Sequence, residues 1–185
     1  MKIFDIAPVK YLEGKMLILD QTKLPGEEIY IEMETKEDVW DAIYKLQVRG
    51  APAIGVAAAY GLYVAVRDFA EDNLSAFSKA LHEAADYLVG ARPTAVNLAW
   101  ALKRMTEKFD ALPAETSVAE AKEILFQEAE AIRIEDEEAC RAMGEHGLTL
   151  LEPGMGILTH CNAGTIATAK YGTCLAPIYL GHEKG

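Results

Sequence analysis

The chain has 185 residues, with 18 Lys+Arg against 29 Asp+Glu, a formal charge of −11, 51% apolar residues and a mean hydropathy of +0.03. That composition is globular, and it excludes a disordered tail, a collagen-like repeat and a disulfide mini-protein. The acidic balance argues against a general nucleic-acid or membrane-surface binder, because phosphate-rich partners need a basic face. A small anion stays within reach through a few local Arg side chains or backbone N–H groups. The three cysteines (Cys140, Cys161, Cys174) include no CxxC pair, so neither a disulfide framework nor a zinc ribbon is indicated. The first nine residues carry Asp5 and lack a long apolar stretch, unlike a signal peptide. The most apolar run, 51–66, falls short of the roughly 20 residues of a membrane span. A soluble, cytoplasmic protein is the expectation.

Residues 15–21 (KMLILDQ) and 28–34 (EIYIEME) read as two strands, the second alternating Ile29, Ile31 and Met33 against Glu28, Tyr30, Glu32 and Glu34. Pro25-Gly26 between them suits a type II turn, so a small antiparallel sheet opens the fold. Thr35 is an N-cap for a helix over 36–48, with Asp38 in the capping-box position. Gly50 breaks that helix and Pro52 starts the next, over 52–69, which is apolar on nearly all sides and therefore central. Residues 74–89 and 94–109 read as amphipathic helices. Ser117 and Glu120 form a capping box that opens a long acidic helix to about residue 145. Between Glu115 and Glu138 nine acids face two basic residues, which reads as a solvated outer face. From Leu150 the texture changes: 155–159 (MGILT) reads as a strand, 161–164 as a turn needing positive φ, and 165–180 as a helix. Such a strand–loop–helix unit begins a parallel sheet. The predicted fold class is α/β overall: a small antiparallel sheet plus helical bundle over 1–150, then over 151–185 the first βα unit of an incomplete Rossmann-like domain. A parallel strand needs a neighbour reached by a crossover, so the chain reads as the front part of a longer protein.

Three places combine polar groups with helix N-termini. At Arg49-Gly50-Ala51-Pro52, Gly50 lets the backbone approach a ligand, and the following helix N-terminus with Arg49 makes an anion site. The plain alternative is an Arg capping the preceding helix at a tight corner. Arg92-Pro93-Thr94 repeats the pattern of an Arg before a helix; alone it reads as a surface Arg. At Thr159-His160-Cys161-Asn162-Ala163-Gly164, Cys161 stands at the C-terminal end of the expected strand and near the next helix N-terminus, a position that favours a reactive thiolate, against the alternative of a buried structural Cys. Cys140 and Cys174 fit that alternative, the latter inside an apolar helix. His160 is a poor base for its neighbour, because consecutive side chains of extended chain point to opposite faces. A zinc site from His160, Cys161, Cys174 and His182 has no motif support, and no nucleotide-binding glycine motif occurs.

Together, Arg49-Gly50-Ala51-Pro52-Ala53-Ile54-Gly55, Arg92-Pro93-Thr94-Ala95-Val96-Asn97-Leu98 and Thr159-His160-Cys161-Asn162-Ala163-Gly164, with Gly172-Thr173 downstream, resemble the methylthioribose-1-phosphate isomerase family, in its order and spacing over the whole chain. Members are roughly twice as long, with a β and helical-bundle N-terminal domain joined to a Rossmann-like C-terminal one. The resemblance implies an aldose–ketose isomerase of methionine salvage that acts on 5-methylthioribose 1-phosphate without metal or organic cofactor. It implies substrate binding by Arg49, Gly50, Ala51 and Arg92, and catalysis by Cys161 with an Asp beyond residue 185. It also implies a homodimer through the C-terminal domain, and a 185-residue chain that is inactive alone. Cys174 departs from the family's expected Ala. Two alternatives stand beside this reading. One is a ribose 1,5-bisphosphate isomerase, which needs a second anion site. The other is a non-catalytic subunit similar to the regulatory subunits of the translation-initiation exchange factor.

Overall fold

The computed structural model describes residues 6–185; the first five residues, Asp5 among them, lie outside the described residues. Three strands, β1 (Val9–Leu12), β2 (Lys15–Leu19) and β3 (Tyr30–Met33), form an antiparallel sheet in chain order. Sequence pattern reveals β2 and β3 but not β1. A two-residue loop joins β1 to β2, with Glu13 at φ 52° and Gly14 at φ 80°. Two positive φ values make the tight hairpin whose twist matches its strands. Met16 pairs with Met33 and Ile18 with Ile31, which puts the apolar side chains of β2 on the core side. The connection from β2 to β3 is not the expected type II turn: Leu24–Pro25 is cis, and Gly26 has no positive φ.

Five helices make the body: α1 (Lys36–Tyr44), α2 (Ala51–Val66), α3 (Leu74–Val89), α4 (Val96–Asp110) and α5 (Val118–Leu148). Side-chain caps open three of them, α1, α3 and α5. Thr35 and Asp38, and Ser117 and Glu120, form the two expected capping boxes, and Asn73 caps α3 through the amide of Ala76. Twelve of the sixteen residues of α2 are buried, so it is the axis around which α1, α3, α4, α5 and the sheet pack. Each buried Leu or Phe around it contributes roughly 1.5–3 kcal/mol of transfer free energy.

The acidic face of α5 is less solvated than its charge count suggests. Glu128 is buried and accepts from Arg104 at 2.6 Å and Lys108 at 3.2 Å, while Glu130 and Glu137 flank Arg133 at 3.0 and 3.2 Å. The basic residues of α4 neutralise part of the face along its length, an arrangement that helical periodicity within α5 alone does not reveal.

After α5 the structure departs from the expected strand and helix. Residues 155–159 carry no strand: Met155, Ile157 and Leu158 are 53%, 50% and 98% exposed. A strand exists only where a neighbour supplies hydrogen bonds, and among the described residues none lies beside this run. The expected helix over 165–180 is divided into a 3₁₀ turn, Thr165–Ala167, and a helix α6, Ala176–Lys184. The break between them includes Tyr171 at φ 67° and Gly172 at φ 74°, values no helix accepts. Tyr171, Ala176 and Leu180 pack with Cys140 of α5 in a second apolar cluster. Burial pushes the Cys140 thiol up to about 11, with Asp136 adding to it, so this cysteine is inert packing.

Asp136 of α5 ties the returning segment down by accepting the Ala169 amide at 2.6 Å. Burial raises its pKa, an effect the Ala169 N–H only partly offsets. A carboxyl with a raised folded-state pKa stabilises below its unfolded pKa and loses that contribution as pH climbs through the folded value. Asp136→Asn keeps an acceptor and removes the charge. The variant is expected to melt at or above the parent temperature at pH 7, with the difference vanishing toward pH 3. A lower melting temperature at pH 7 contradicts this account.

Candidate active site

Two helices in the body start without a side-chain cap or an acidic residue in the first turn, α2 and α4. These are the helices that Arg49 and Arg92 precede. The same two guanidinium groups stand apart from the other four arginines. Arg67, Arg104, Arg133 and Arg141 each pair with a carboxylate, whereas Arg49 and Arg92 have no ion pair among the described residues. In a chain of net charge −11, two cations left without carboxylates beside open helix N-termini leave positive potential available to an anion. Arg49 is exposed and does not cap α1; its Nη2 donates to the main-chain oxygen of Gln21 at 3.3 Å.

Gly50 is the N-cap of α2 at φ 98°. Its missing side chain has a second use: a Cβ built there would lie 2.5 Å from the Cα of Ala167 and 2.7 Å from its carbonyl oxygen. The corner therefore rests directly on the 3₁₀ turn that follows the Cys161 loop. On another side, a Cβ at Gly55 would lie 3.3 Å from the carbonyl oxygen of Asn97, so the first turns of α2 abut the first turn of α4. Two of the three polar segments of the sequence thus meet at the N-terminal turns of α2, 49–51 in the corner itself and 92–97 through Asn97, and the third, 159–164, runs into the turn Thr165–Ala167 that touches the corner.

Cys161 is exposed, and it carries the positive φ that turn chemistry assigns to Asn162 and Gly164. A φ of 65° on a non-glycine residue costs about 1 kcal/mol. Asn162 turns its Oδ1 to the Gly164 amide at 3.4 Å, and Ala163 accepts from the Thr173 amide at 3.0 Å, which closes the loop against the segment before α6. The helix dipole expected behind Cys161 has no source here, because only the three-residue turn Thr165–Ala167 follows. Cys174 does not sit in an apolar helix. It is exposed, and its Sγ lies 3.2 Å from the Thr159 hydroxyl, which lowers its thiol pKa. Among the described residues no group of three or more His, Cys, Asp or Glu could hold a metal ion, and no helix is long and apolar enough to cross a membrane.

One site residue is not apparent from sequence motifs. Gln21 follows the last apolar residues of β2, is fully buried, and donates from Nε2 to the Ile166 carbonyl at 2.8 Å. Its neighbour Asp20, also buried, accepts from Thr22 and, at 3.0 Å, from Gln47. Burial alone would raise the Asp20 carboxyl, but these hydrogen bonds outweigh it and hold the pKa below the usual range. An Asp-Gln pair directly after KMLIL is the signal that could have found it: polar residues interrupting a buried run need partners.

The model of the initiation factor 2 subunit family matches residues 47–179, a span that contains all three segments. The chain belongs to that family. Among curated relatives, the methylthioribose-1-phosphate isomerase of Parabacteroides distasonis is 59% identical over 92% of this chain and 50% of its own length. The 5-deoxyribose 1-phosphate isomerase of Petrotoga mobilis is 54% identical over 97% of this chain and 52% of its own. Two solved family structures superpose closely. The 5-methylthioribose 1-phosphate isomerase of Pyrococcus horikoshii does so with TM-score 0.92 at 36% identity, over all of this chain and 51% of that one. The delta subunit of initiation factor eIF-2B from A. fulgidus gives 0.89 at 40% identity, over 98% and 52%. The chain spans about half the length of the curated relatives it matches.

Proposed function

We propose that this chain supplies the phosphate-binding half and one acid–base group of an aldose–ketose isomerase acting on a pentose 1-phosphate, with 5-methylthioribose 1-phosphate as substrate. One observation carries the reading. Two arginines without carboxylate partners among the described residues precede uncapped helix N-termini, and the first of those termini is pressed against Ala167, in the turn that follows the Cys161 loop. The relatives named as isomerases of 5-methylthioribose 1-phosphate and 5-deoxyribose 1-phosphate support the same class.

In this proposal Arg49, Gly50 and Ala51 hold the phosphate, with charge-assisted bonds from Arg49 and main-chain N–H groups from the start of α2, and Arg92 adds a second cation. The C1–O4 bond of the ring breaks first and O4 takes a proton, which leaves C1 electron-poor with its phosphate still attached. The C2 hydrogen then leaves and one arrives at C1 while the C2 hydroxyl gives up its proton to become the ketone, giving the ketose 1-phosphate, an isomer of the starting sugar. Cys161 serves as one acid–base group at these two carbons, and its partner is a carboxylate contributed outside this chain. The chemistry calls on no cofactor.

The test is turnover by the complete gene product of 5-methylthioribose 1-phosphate, 5-deoxyribose 1-phosphate and ribose 1,5-bisphosphate, followed by ketose formation. Turnover of the first at the highest kcat/KM is the expected result, and the 185-residue chain alone is expected to be inactive. Failure on all three sugars overturns the reading. It would favour the non-catalytic alternative, for which the superposition on the eIF-2B delta subunit speaks. Arg49→Gln and Arg92→Gln are each expected to raise KM about 10- to 100-fold, since a hydrogen bond to a charged group is worth about 1.5–3 kcal/mol. Steady-state kinetics with an unchanged KM for both variants removes the arginines from the site.

A further inference from the structure

We propose that Gln21 is a positioning residue that fixes the Arg49–Gly50–Ala51 corner on the Cys161-bearing segment and holds the Arg49 guanidinium ready for an anion. The proposal rests on the isomerase reading of that corner. Gln21 is 0% exposed and makes four polar contacts that converge on one place. Its main-chain N–H donates to the Gln47 carbonyl at 2.8 Å, and its main-chain oxygen accepts from Arg49 Nη2 at 3.3 Å. Its side-chain Nε2 donates to the Ile166 carbonyl at 2.8 Å and reaches the Arg49 carbonyl at 3.5 Å. One residue at the end of the first sheet thus joins a corner 28 positions later to a turn 145 positions later.

Packing does not explain the amide. A Met of similar volume would fill the buried position without a polar atom, and Gln21 Oε1 is buried with no hydrogen-bond partner among the described residues. An unsatisfied buried carbonyl is costly, so the donor half of the amide must return something that an apolar side chain cannot. What it provides is a fixed distance between the Arg49 carbonyl and the Ile166 carbonyl, the two backbone points flanking the contact of Gly50 with Ala167. Arg49 is oriented by a carbonyl oxygen and has no carboxylate partner among the described residues, so its charge is directed without being neutralised. A carboxylate side chain at position 21 would offer the Arg49 and Ile166 carbonyls no hydrogen and so lose the tie between them.

Steady-state kinetics of the complete gene product tests this with Gln21→Met and Gln21→Glu. Gln21→Met is expected to raise KM about tenfold and the inhibition constant of inorganic phosphate by a similar factor, with kcat changed less than threefold. Gln21→Glu, whose carboxylate would face the same two carbonyls without a hydrogen to donate, is expected to raise both at least as far. Combined with Arg49→Gln, Gln21→Met adds little to KM, because the amide acts by placing the Arg49 backbone from which the guanidinium extends. Wild-type KM and phosphate inhibition in Gln21→Met, or full additivity with Arg49→Gln, overturns the proposal. So does a lowered melting temperature with unchanged KM, which marks a purely structural role. If Gln21→Met does not fold, Gln21→Glu carries the same comparison. If the parent turns over no sugar phosphate, the isomerase reading has failed separately. Amide hydrogen exchange at Ile54, whose N–H donates to the Gly50 carbonyl at 3.0 Å, then decides for Gln21: about tenfold faster in Gln21→Met supports the positioning role, and unchanged exchange overturns it.

Discussion

Cys161→Ala in the complete gene product is expected to lower kcat by about 10²- to 10⁴-fold, the usual contribution of a positioned acid–base group, with KM changed severalfold at most. The reasoning starts from exposure and backbone. A structural cysteine is buried among apolar neighbours, as Cys140 is, whereas Cys161 is open to solvent and held in a left-handed conformation that a residue with a Cβ adopts only when its surroundings insist. The surroundings are the Asn162–Gly164 contact, the Thr173–Ala163 hydrogen bond and the seating of Ala167 on Gly50. None of them uses the thiol, so replacing it with a methyl leaves them intact and the melting temperature should stay within a few degrees. Cys161→Ser provides the finer reading. A hydroxyl has similar shape and a far less acidic proton, so activity that falls as far as in the Ala variant shows that proton transfer, not shape, is lost. Retention of more than a tenth of parental kcat in Cys161→Ala ends its assignment as an acid–base group. Cys174→Ala is the companion control: its thiol meets Thr159 and none of the corner residues, and activity should persist.

Local chemistry is legible in the sequence and long-range pairing is not. Capping boxes at Thr35 and Ser117 need only residues three apart, and both form; the all-round apolar character of 51–66 places α2 at the centre. β1 escapes notice because VKYL is short and mixed, and its tight turn is Glu-Gly, a weaker hairpin signal than Asn-Gly. The run at 155–159 has strand composition, yet composition cannot supply the neighbouring strand on which hydrogen bonds depend. In the candidate site, Arg49 and Arg92 stand out as cations at helix N-termini. That they alone among the arginines lack carboxylates among the described residues depends on where Glu128, Glu130, Glu135 and Glu137 go in three dimensions. Gln21 is invisible for the same reason, since its partners lie 28 and 145 residues away.

The sharpest test of how the site is assembled lies in a single methyl group. Gly50→Ala is expected to destabilise the protein by about 3 kcal/mol or more and to abolish measurable activity in whatever remains folded. Two costs add. At φ 98° an alanine is strained by roughly 1–2 kcal/mol relative to glycine. Its Cβ would also fall 2.5 Å from the Cα of Ala167, 2.7 Å from its oxygen and 2.8 Å from its Cβ, and the first two belong to backbone that cannot rotate away. Something must move. The choices are the start of α2, anchored by its buried body, or the turn Thr165–Ala167, anchored by Gln21 and by Asp136 through Ala169. Either movement separates the corner from the Cys161 loop, and a misplacement of about 1 Å is enough to cost a factor near 10² in rate. Ala167→Gly removes one of the three close atoms. It should return some stability to Gly50→Ala but little activity, because the Cα and carbonyl contacts persist. Thermal unfolding of the two single variants and the double variant, read beside kcat, checks this. A Gly50→Ala protein with parental melting temperature and turnover would show that the corner does not bear on the turn, and with that the link from the Arg49 corner to the segment following Cys161 would lose its structural basis.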